Sequence, residues 1–219
     1  MTYSVLAHCP RTGRIGLGTA TFSLGTGGRA AAIRSGAGVA KTQANPQPDN
    51  DLLALRLMAQ GHRPARVLEM VAAQDRYWSW RQMGLVDTEG RAAAHTGQDA
   101  KHFAGHLAQP GIVVLGNVVA GPKVLEAMVA GFHAAPSAPL AFRILAALEA
   151  GRDAGGQLRD GAWIPERSAV LRIASAQPWL ELDLAVDRRS GAVEELRRVL
   201  QARMASSDVD DPMRQANKD

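Results

Sequence analysis

Residues Tyr3 to Cys9 place apolar side chains on both alternating faces, as in a strand covered on both sides. The turn signal Pro10-Arg11-Thr12-Gly13 then folds the chain back into a second run, Ile15 to Phe22, so the sequence opens with a β-hairpin. Gly16 and Gly18 in that second run put two positions without side chains on one face. Either a neighbouring backbone or ligand comes close there, or the sheet packs tightly. Beyond the glycine-rich stretch Gly25 to Gly28, Ala30 to Ile33 and Gly38 to Ala44 read as short strands. A helix is expected from Asp51 to Gln60, capped by Asp49 or Asn50 and stopped by Gly61, and a second begins at Pro64.

Arg81 to Val86, the turn Asp87-Thr88-Glu89-Gly90 and Arg91 to Thr96 predict another hairpin, and Ile112 to Leu115 adds an apolar strand. Trp78-Ser79-Trp80 puts two indoles on one face of a strand, which suits core or interface packing as well as a stacking platform. Helical spacing is clearest in Lys123 to Phe132 and Leu140 to Ala150. Arg152 to Ile164 reads as a long polar loop, followed by the strands Ser168 to Ala174 and Leu180 to Val186. Ser190 can cap a last helix to about Arg203, leaving a polar, disordered tail over residues 205–219 after one domain of residues 1–204. Strands and pairs of helices succeed one another without regular βαβ alternation. The order predicts an α+β fold, a four-layer αββα sandwich of two stacked antiparallel sheets flanked by helices.

Composition narrows the function classes. Of the 219 residues, 46% are apolar and 21% charged, enough for a substantial core and unlike a disordered chain. The lone cysteine, Cys9, cannot close an intramolecular disulfide, which fits a reducing compartment. No secretory leader and no membrane-crossing run is apparent, so a cytoplasmic protein is expected. The net charge of +4 is scattered and comes without nucleic-acid motifs, so neither nucleic acid nor membrane is an expected partner. His102 and His106 stand at i, i+4, but no H-E-x-x-H pattern or suitably spaced carboxylate accompanies them. Neither a metal nor another cofactor is expected.

Several segments, in this order and spacing, resemble a known group: Thr2-Tyr3-Ser4, Thr42-Gln43-Ala44, His95-Thr96-Gly97, Ala104-Gly105-His106, Gly116-Asn117, Ala120-Gly121-Pro122, Arg167-Ser168-Ala169 and Glu194-Glu195-Leu196-Arg197-Arg198. The chain is similar from Thr2 to about Leu200 to the bacterial and archaeal group called domain of unknown function 1028, which is assigned to the N-terminal-nucleophile hydrolases. It departs from the usual pattern in the contiguous Gln43-Ala44-Asn45-Pro46, in a longer segment before Arg167 and in Gln157 after Gly155-Gly156.

The resemblance implies an amidohydrolase that cleaves a C–N bond in a small molecule, with Thr2 as nucleophile once Met1 is removed. A free α-amine of pKa about 7.7 to 8.0 is partly neutral at physiological pH and can act as the base for its own hydroxyl. Methionine aminopeptidase removes the initiator before a small second residue, so no autoproteolysis is needed. Lys41 would place a cation beside the nucleophile, while Gly116 and Asn117 would supply an oxyanion site through a backbone N–H and a side-chain amide. Ser4, Gln43 and His95 would line the pocket. The same architecture implies a homodimer or larger homo-oligomer. A different class, a non-catalytic protein binding a small ligand on the same sandwich, also accommodates these residues.

Overall fold

The two-sided apolar pattern of the first strand is met by a central position. The computed structural model describes residues 1–29, 32–100, 102–177 and 179–206. Strands β1 (Thr2–His8), β2 (Ile15–Thr21), β3 (Ala32–Arg34) and β4 (Gly38–Ala44) precede helices α1 (Pro48–Ala59) and α2 (Pro64–Ala72). Four strands follow, β5 (Arg81–Asp87), β6 (Ala92–Thr96), β7 (Ala104–Gln109) and β8 (Ile112–Asn117), and then α3 (Pro122–His133) and α4 (Leu140–Asp153). The short β9 (Gln157–Arg159) and β10 (Ala162–Ile164) lead to β11 (Ser168–Ala174), β12 (Leu180–Val186) and α5 (Ala192–Ala205). The fold is α+β, with antiparallel sheets and five α-helices among the described residues. One sheet has the order β12-β11-β2-β1-β8-β7, a second β3-β4-β5-β6, and β10-β9 form a separate ribbon.

Period-two alternation sorts the side chains into three clusters. Tyr3, Val5 and Ala7 of β1 pack with Met128 and Phe132 of α3 and Ile144 and Leu148 of α4. Ala40, Met83 and Leu85 pack with Leu55 and Met58 of α1 and Val67 and Val71 of α2. Leu6, Leu17, Val113 and Leu115 of the six-stranded sheet meet Val39 and Val86 of the four-stranded one. Val5 and Leu6 are both fully buried, so β1 is enclosed on both sides.

Gly16 and Gly18 answer to α4. A Cβ on Gly16 would lie 2.6 Å from Ile144 Cδ1 and from Ile173 Cδ1, and one on Gly18 would lie 2.6 Å from Ile144 Cγ2. The close approach at both glycines is by Ile144 of α4, joined at Gly16 by Ile173 and by the Arg172 carbonyl of β11. Gly18→Val is expected to destabilise the protein by about 1–3 kcal/mol through overpacking. Chemical denaturation checks this, and Ile144→Ala in the same chain should recover part of the loss that Gly18→Val causes.

The sequence-based elements are corrected at several places. Residues 152–164 contain the end of α4 and the β9–β10 ribbon, where a loop is expected. Strand β7 pairs with β8 although its exposed side chains hide the pattern. Trp78–Trp80 forms a 3₁₀ turn before β5, not a strand. Helix α1 starts at Pro48 after an extended Gln47, and α5 follows Gly191 in the left-handed region, φ 73°, rather than a Ser190 cap. Ala30 and Ala31 of the third expected strand and residues 207–219 of the expected tail lie outside the described residues. No helix among the described residues is long and apolar enough to cross a membrane.

Candidate functional site

The same alternation that sets apolar side chains at one end of the interval between the sheets sets polar ones at the other. Leu6 marks one face of β1, and Ser4 and Thr2 follow on that face toward the chain start. Leu17 likewise leads to Thr19 and Thr21, Val39 to Lys41 and Gln43, Val86 to Gln82, and Leu115 to Asn117. Pairing aligns these ends: Thr2 is opposite Thr21 on one side and Asn117 on the other, and Gln43 is opposite Gln82, itself opposite Thr96.

A hydrogen-bond network joins the two sheets there. Ser4 Oγ lies 2.9 Å from Thr19 Oγ1 and donates to Gln43 Oε1 at 2.7 Å. Gln43 Nε2 donates to Gln82 Oε1 at 3.0 Å and to the Thr2 carbonyl at 3.5 Å. Asn117 Nδ2 donates to the same Gln82 oxygen at 2.9 Å. The two N–H groups of Gln82 point among three acceptors, the carbonyls of Gly116 and Gly105 at 2.9 and 3.0 Å and Thr96 Oγ1 at 3.1 Å. Thr96 Oγ1 is 2.8 Å from His106 Nδ1. Gln82 is wholly buried and Asn117 is 2% exposed, so each of these bonds replaces hydration that burial has removed.

At the chain start, Thr2 and Thr21 hydroxyls are 3.0 Å apart and both donate to the Met1 carbonyl at 2.6 Å. The chain's amine has its pKa lowered below the usual 8.0, first by burial and then by the positive charge of Arg159. Arg159 belongs to β9, whose Gln157 is anchored beside Thr21. Gln157 Oε1 accepts the Phe22 N–H at 2.9 Å, and Gln157 also bridges to Val119.

The structure therefore joins three of the seven expected residues, Ser4, Gln43 and Asn117, in one network with Gln82, with Thr2 at its edge; Gly116 enters through its carbonyl, an acceptor, and not through the N–H expected of an oxyanion donor. His95 lies apart: it alternates with Thr96 on β6, stacks on Trp78 at 4.2 Å between ring centroids, and places Nε2 3.2 Å from the Trp78 carbonyl. Lys41 shares its face of β4 with Gln43, but its charge is coupled to Asp51 and Arg172. Burial pushes the Lys41 pKa down, against the attraction of Asp51. The positive charge that adds to burial in lowering the Met1 amine is that of Arg159.

Asp51 has its pKa pushed up to about 6 by burial, which outweighs the attraction of Lys41 and the bonds from Thr42. An unfolded aspartate ionises near pH 3.9, so between about pH 4 and 6 the folded state keeps a proton that the unfolded state has lost. Stability contributed by this group is present below that window and lost as pH rises through it. Asp51→Asn is expected to flatten this fall by up to about 3 kcal/mol. Urea unfolding of both proteins at pH 4, 5, 6 and 7 measures the difference.

Gln82, Thr19 and Thr21 are parts of the site that sequence reasoning passes over, and Gln157 enters it only as a departure from the family pattern. The signal available was polar residues at core-facing positions of otherwise apolar strands: Gln82 three residues before Leu85, Thr19 and Thr21 alternating with glycine and alanine. Among the described residues, no group of three or more His, Cys, Asp or Glu is placed to hold a metal ion.

The model of a family of unknown function, DUF1028, matches residues 2–196. The crystal structure of a DUF1028 protein from Silicibacter pomeroyi is similar to this one, with 28% sequence identity and a TM-score of 0.82 over 92% of this chain and 88% of that one. A comparison with curated proteins finds no match.

Proposed function

The chain belongs to the DUF1028 family, and on that premise we propose that it is an N-terminal-nucleophile amidohydrolase, a four-layer αββα sandwich that cleaves a C–N bond in a small molecule. The observation that carries this reading is the position of the Thr2 hydroxyl, 3.0 Å from Thr21 Oγ1 at the start of the central strand and opposite Asn117. Removing Met1 takes away the carbonyl to which both hydroxyls donate and leaves them beside the new α-amine. The Thr2 oxygen attacks the amide carbonyl while its proton passes to that amine. The resulting ammonium protonates the departing nitrogen as the C–N bond breaks, leaving an acyl ester on Thr2. Water, deprotonated by the same amine, cleaves the ester and releases the acid.

Asn117 is suited to the oxyanion. Its side-chain amide has two N–H groups, one of which is held by Gln82 Oε1, so the amide is oriented and the other N–H is available to the developing charge. Gln43, bonded to Ser4 and reaching toward the Thr2 carbonyl, holds the start of β1 on which the nucleophile sits. The substrate is a small molecule, with neither metal nor cofactor in the reaction, and the protein acts as a cytoplasmic homodimer or larger assembly.

A second reading, a non-catalytic binder of a small ligand, draws on the Met1 carbonyl, which occupies both hydroxyls while the initiator is present. Intact-mass measurement on protein from its natural host separates the two. The hydrolase reading expects a mass lacking Met1 and a covalent adduct with a β-lactone located at Thr2. Full retention of Met1 in protein that a ligand stabilises would establish the binder.

A further inference from the structure

The far end of β1 is built from three turns. The His8 N–H donates to the Gly111 carbonyl at 2.9 Å and the Gly111 N–H to the Gly90 carbonyl at 2.7 Å, which ties the first strand to the turns after β5 and β7. The chain itself then turns over Cys9 to Gly13, where the Thr12 and Gly13 N–H groups share the Cys9 carbonyl at 3.2 and 2.9 Å. Between these turns, the end of α3 and the start of α4 lies a cavity of about 380 Å³, with Arg11, Phe132 and Arg143 on its lining. Seven residues of strand, roughly 23 Å, separate Cys9 from Thr2, so the cavity is not part of the candidate site.

Arg143 is only 8% exposed, yet among the described residues no carboxylate forms an ion pair with it. Its Nε donates to the Phe132 carbonyl at 3.2 Å, and its guanidinium carbon lies 4.0 Å from the centre of the Phe132 ring. Neither contact supplies a counter-charge. It is the fourth residue of α4, whose first turn carries no acidic residue, and the positive end of the helix dipole opposes a cation there. Burial pushes the Arg143 pKa down; Cys9 acts the other way, and the like charge of Arg11 adds to the burial effect. Arg11 is exposed, with one guanidinium nitrogen donating to the carbonyls of Pro136 and Ser137 at 3.2 and 3.0 Å. Among the described residues the acid on the lining is Glu89, which is 66% accessible and paired with Arg91 at 2.8 Å. A buried charge is costly unless it is paired, so the cavity holds positive charge that the protein leaves uncompensated.

We propose that this cavity binds a small carboxylate carried on an apolar body, with Arg143 holding the carboxylate and Arg11 adding positive charge at the rim. A guanidinium offers paired N–H groups to both oxygens of a carboxylate, giving orientation as well as affinity. The remaining lining is largely apolar, with Pro10, Pro110 and Pro136 beside Phe132. Such walls suit a hydrocarbon and offer few donors to the further oxygens of a phosphate. His8 also lines the cavity, but burial pushes its pKa down against the attraction of Asp87, so it is neutral at neutral pH and adds no positive charge. The volume lies at the small end of the range for ligand pockets, which suits a compact acid. Nothing in this assignment depends on the reading of Thr2 as nucleophile.

Calorimetric titration of the full chain with 3-phenylpropanoate, its neutral counterpart 3-phenylpropanamide and inorganic phosphate tests the assignment. Wild-type protein is expected to bind the carboxylate at least about tenfold more tightly than either of the others, a difference of about 1.4 kcal/mol. Arg143→Met should erase the preference over the amide, and Arg143→Lys, which keeps the charge but loses the paired N–H groups, should keep part of it. Arg11→Met changes a solvated residue and should weaken carboxylate binding by only about threefold. Undetectable binding of the carboxylate, equal binding of acid and amide, phosphate bound as tightly as the acid, or an intact preference in Arg143→Met overturns the proposal. Circular dichroism shows whether Arg143→Met is folded. If it is not, Arg143→Lys decides: weakened binding supports the site, and affinity equal to wild type overturns it.

Discussion

Gln82→Leu is expected to lower the stability of this protein by about 3 to 5 kcal/mol, although leucine is similar in size and more apolar. The side chain it replaces holds five neighbours at once: Gln43 and Asn117 donate to its oxygen, and its nitrogen serves Thr96 and the carbonyls of Gly105 and Gly116. Leucine supplies neither donor nor acceptor. Each buried polar group left without a partner costs about 1–3 kcal/mol, and relaxation of side chains such as Thr96 toward His106 recovers some of that sum. For a chain of this length the loss corresponds to a fall of roughly 10 °C in Tm, since about 2–4 °C accompanies each kcal/mol. Gln82→Glu is the informative control. It keeps the acceptor for Gln43 and Asn117 but removes both N–H donors and introduces a buried charge, so it should be at least as destabilising at neutral pH. Thermal and urea unfolding of the three proteins measure these differences. Stability in Gln82→Leu equal to wild type would mean that the network between the sheets adds nothing to holding them together.

How far the fold could be read from sequence depended on whether a segment's burial was visible in its pattern. Val113, Val114 and Leu115 announce β8, and the helical spacing of Ile144, Leu145 and Leu148 announces α4, because both elements are covered by the core. Strand β7 is half exposed and begins Ala-Gly-His, so its hydrogen bonding to β8 left little trace in hydrophobicity. The ribbon at residues 157–164 was missed for another reason. Asp160-Gly161 is a strong hairpin signal, but it sits between strands of three residues each, too short for alternation to register.

The site was legible where strand periodicity could be combined with the family resemblance. Thr2, Ser4, Gln43 and Asn117 do come to one end of the interval between the sheets. Lys41 and His95 show the limit: a position within a strand fixes the face but not the distant partner. Lys41 shares the face of Gln43, yet its charge answers to Asp51 from α1. His95 is one residue from Thr96, and that single step turns it to the other side of β6 and onto Trp78. Gln82 could have been singled out as a polar residue facing the core, but its role requires the carbonyls of Gly105 and Gly116 from another sheet. No local pattern encodes that meeting.

Thr2→Val should eliminate the covalent chemistry while leaving the fold and the processing of the initiator in place. Valine has the shape of threonine, remains a small second residue for methionine aminopeptidase, and is a favourable strand residue opposite Thr21 and Asn117. What it lacks is the oxygen. The β-lactone adduct is therefore expected to vanish, and hydrolysis to fall by at least about a thousandfold, with Met1 still absent from the intact mass. Thr2→Ser retains the oxygen and the amine and should retain a measurable adduct at the same residue. Rates in the serine variant should rise with pH until the amine is neutral, through the range in which an α-amine ordinarily loses its proton, about 7.7 to 8.0. If Thr2→Val forms the adduct as fast as wild type, the nucleophile is some other group. An adduct confined to threonine and serine, forming faster as the amine loses its proton, would require hydroxyl and amine to work as one unit at the start of β1.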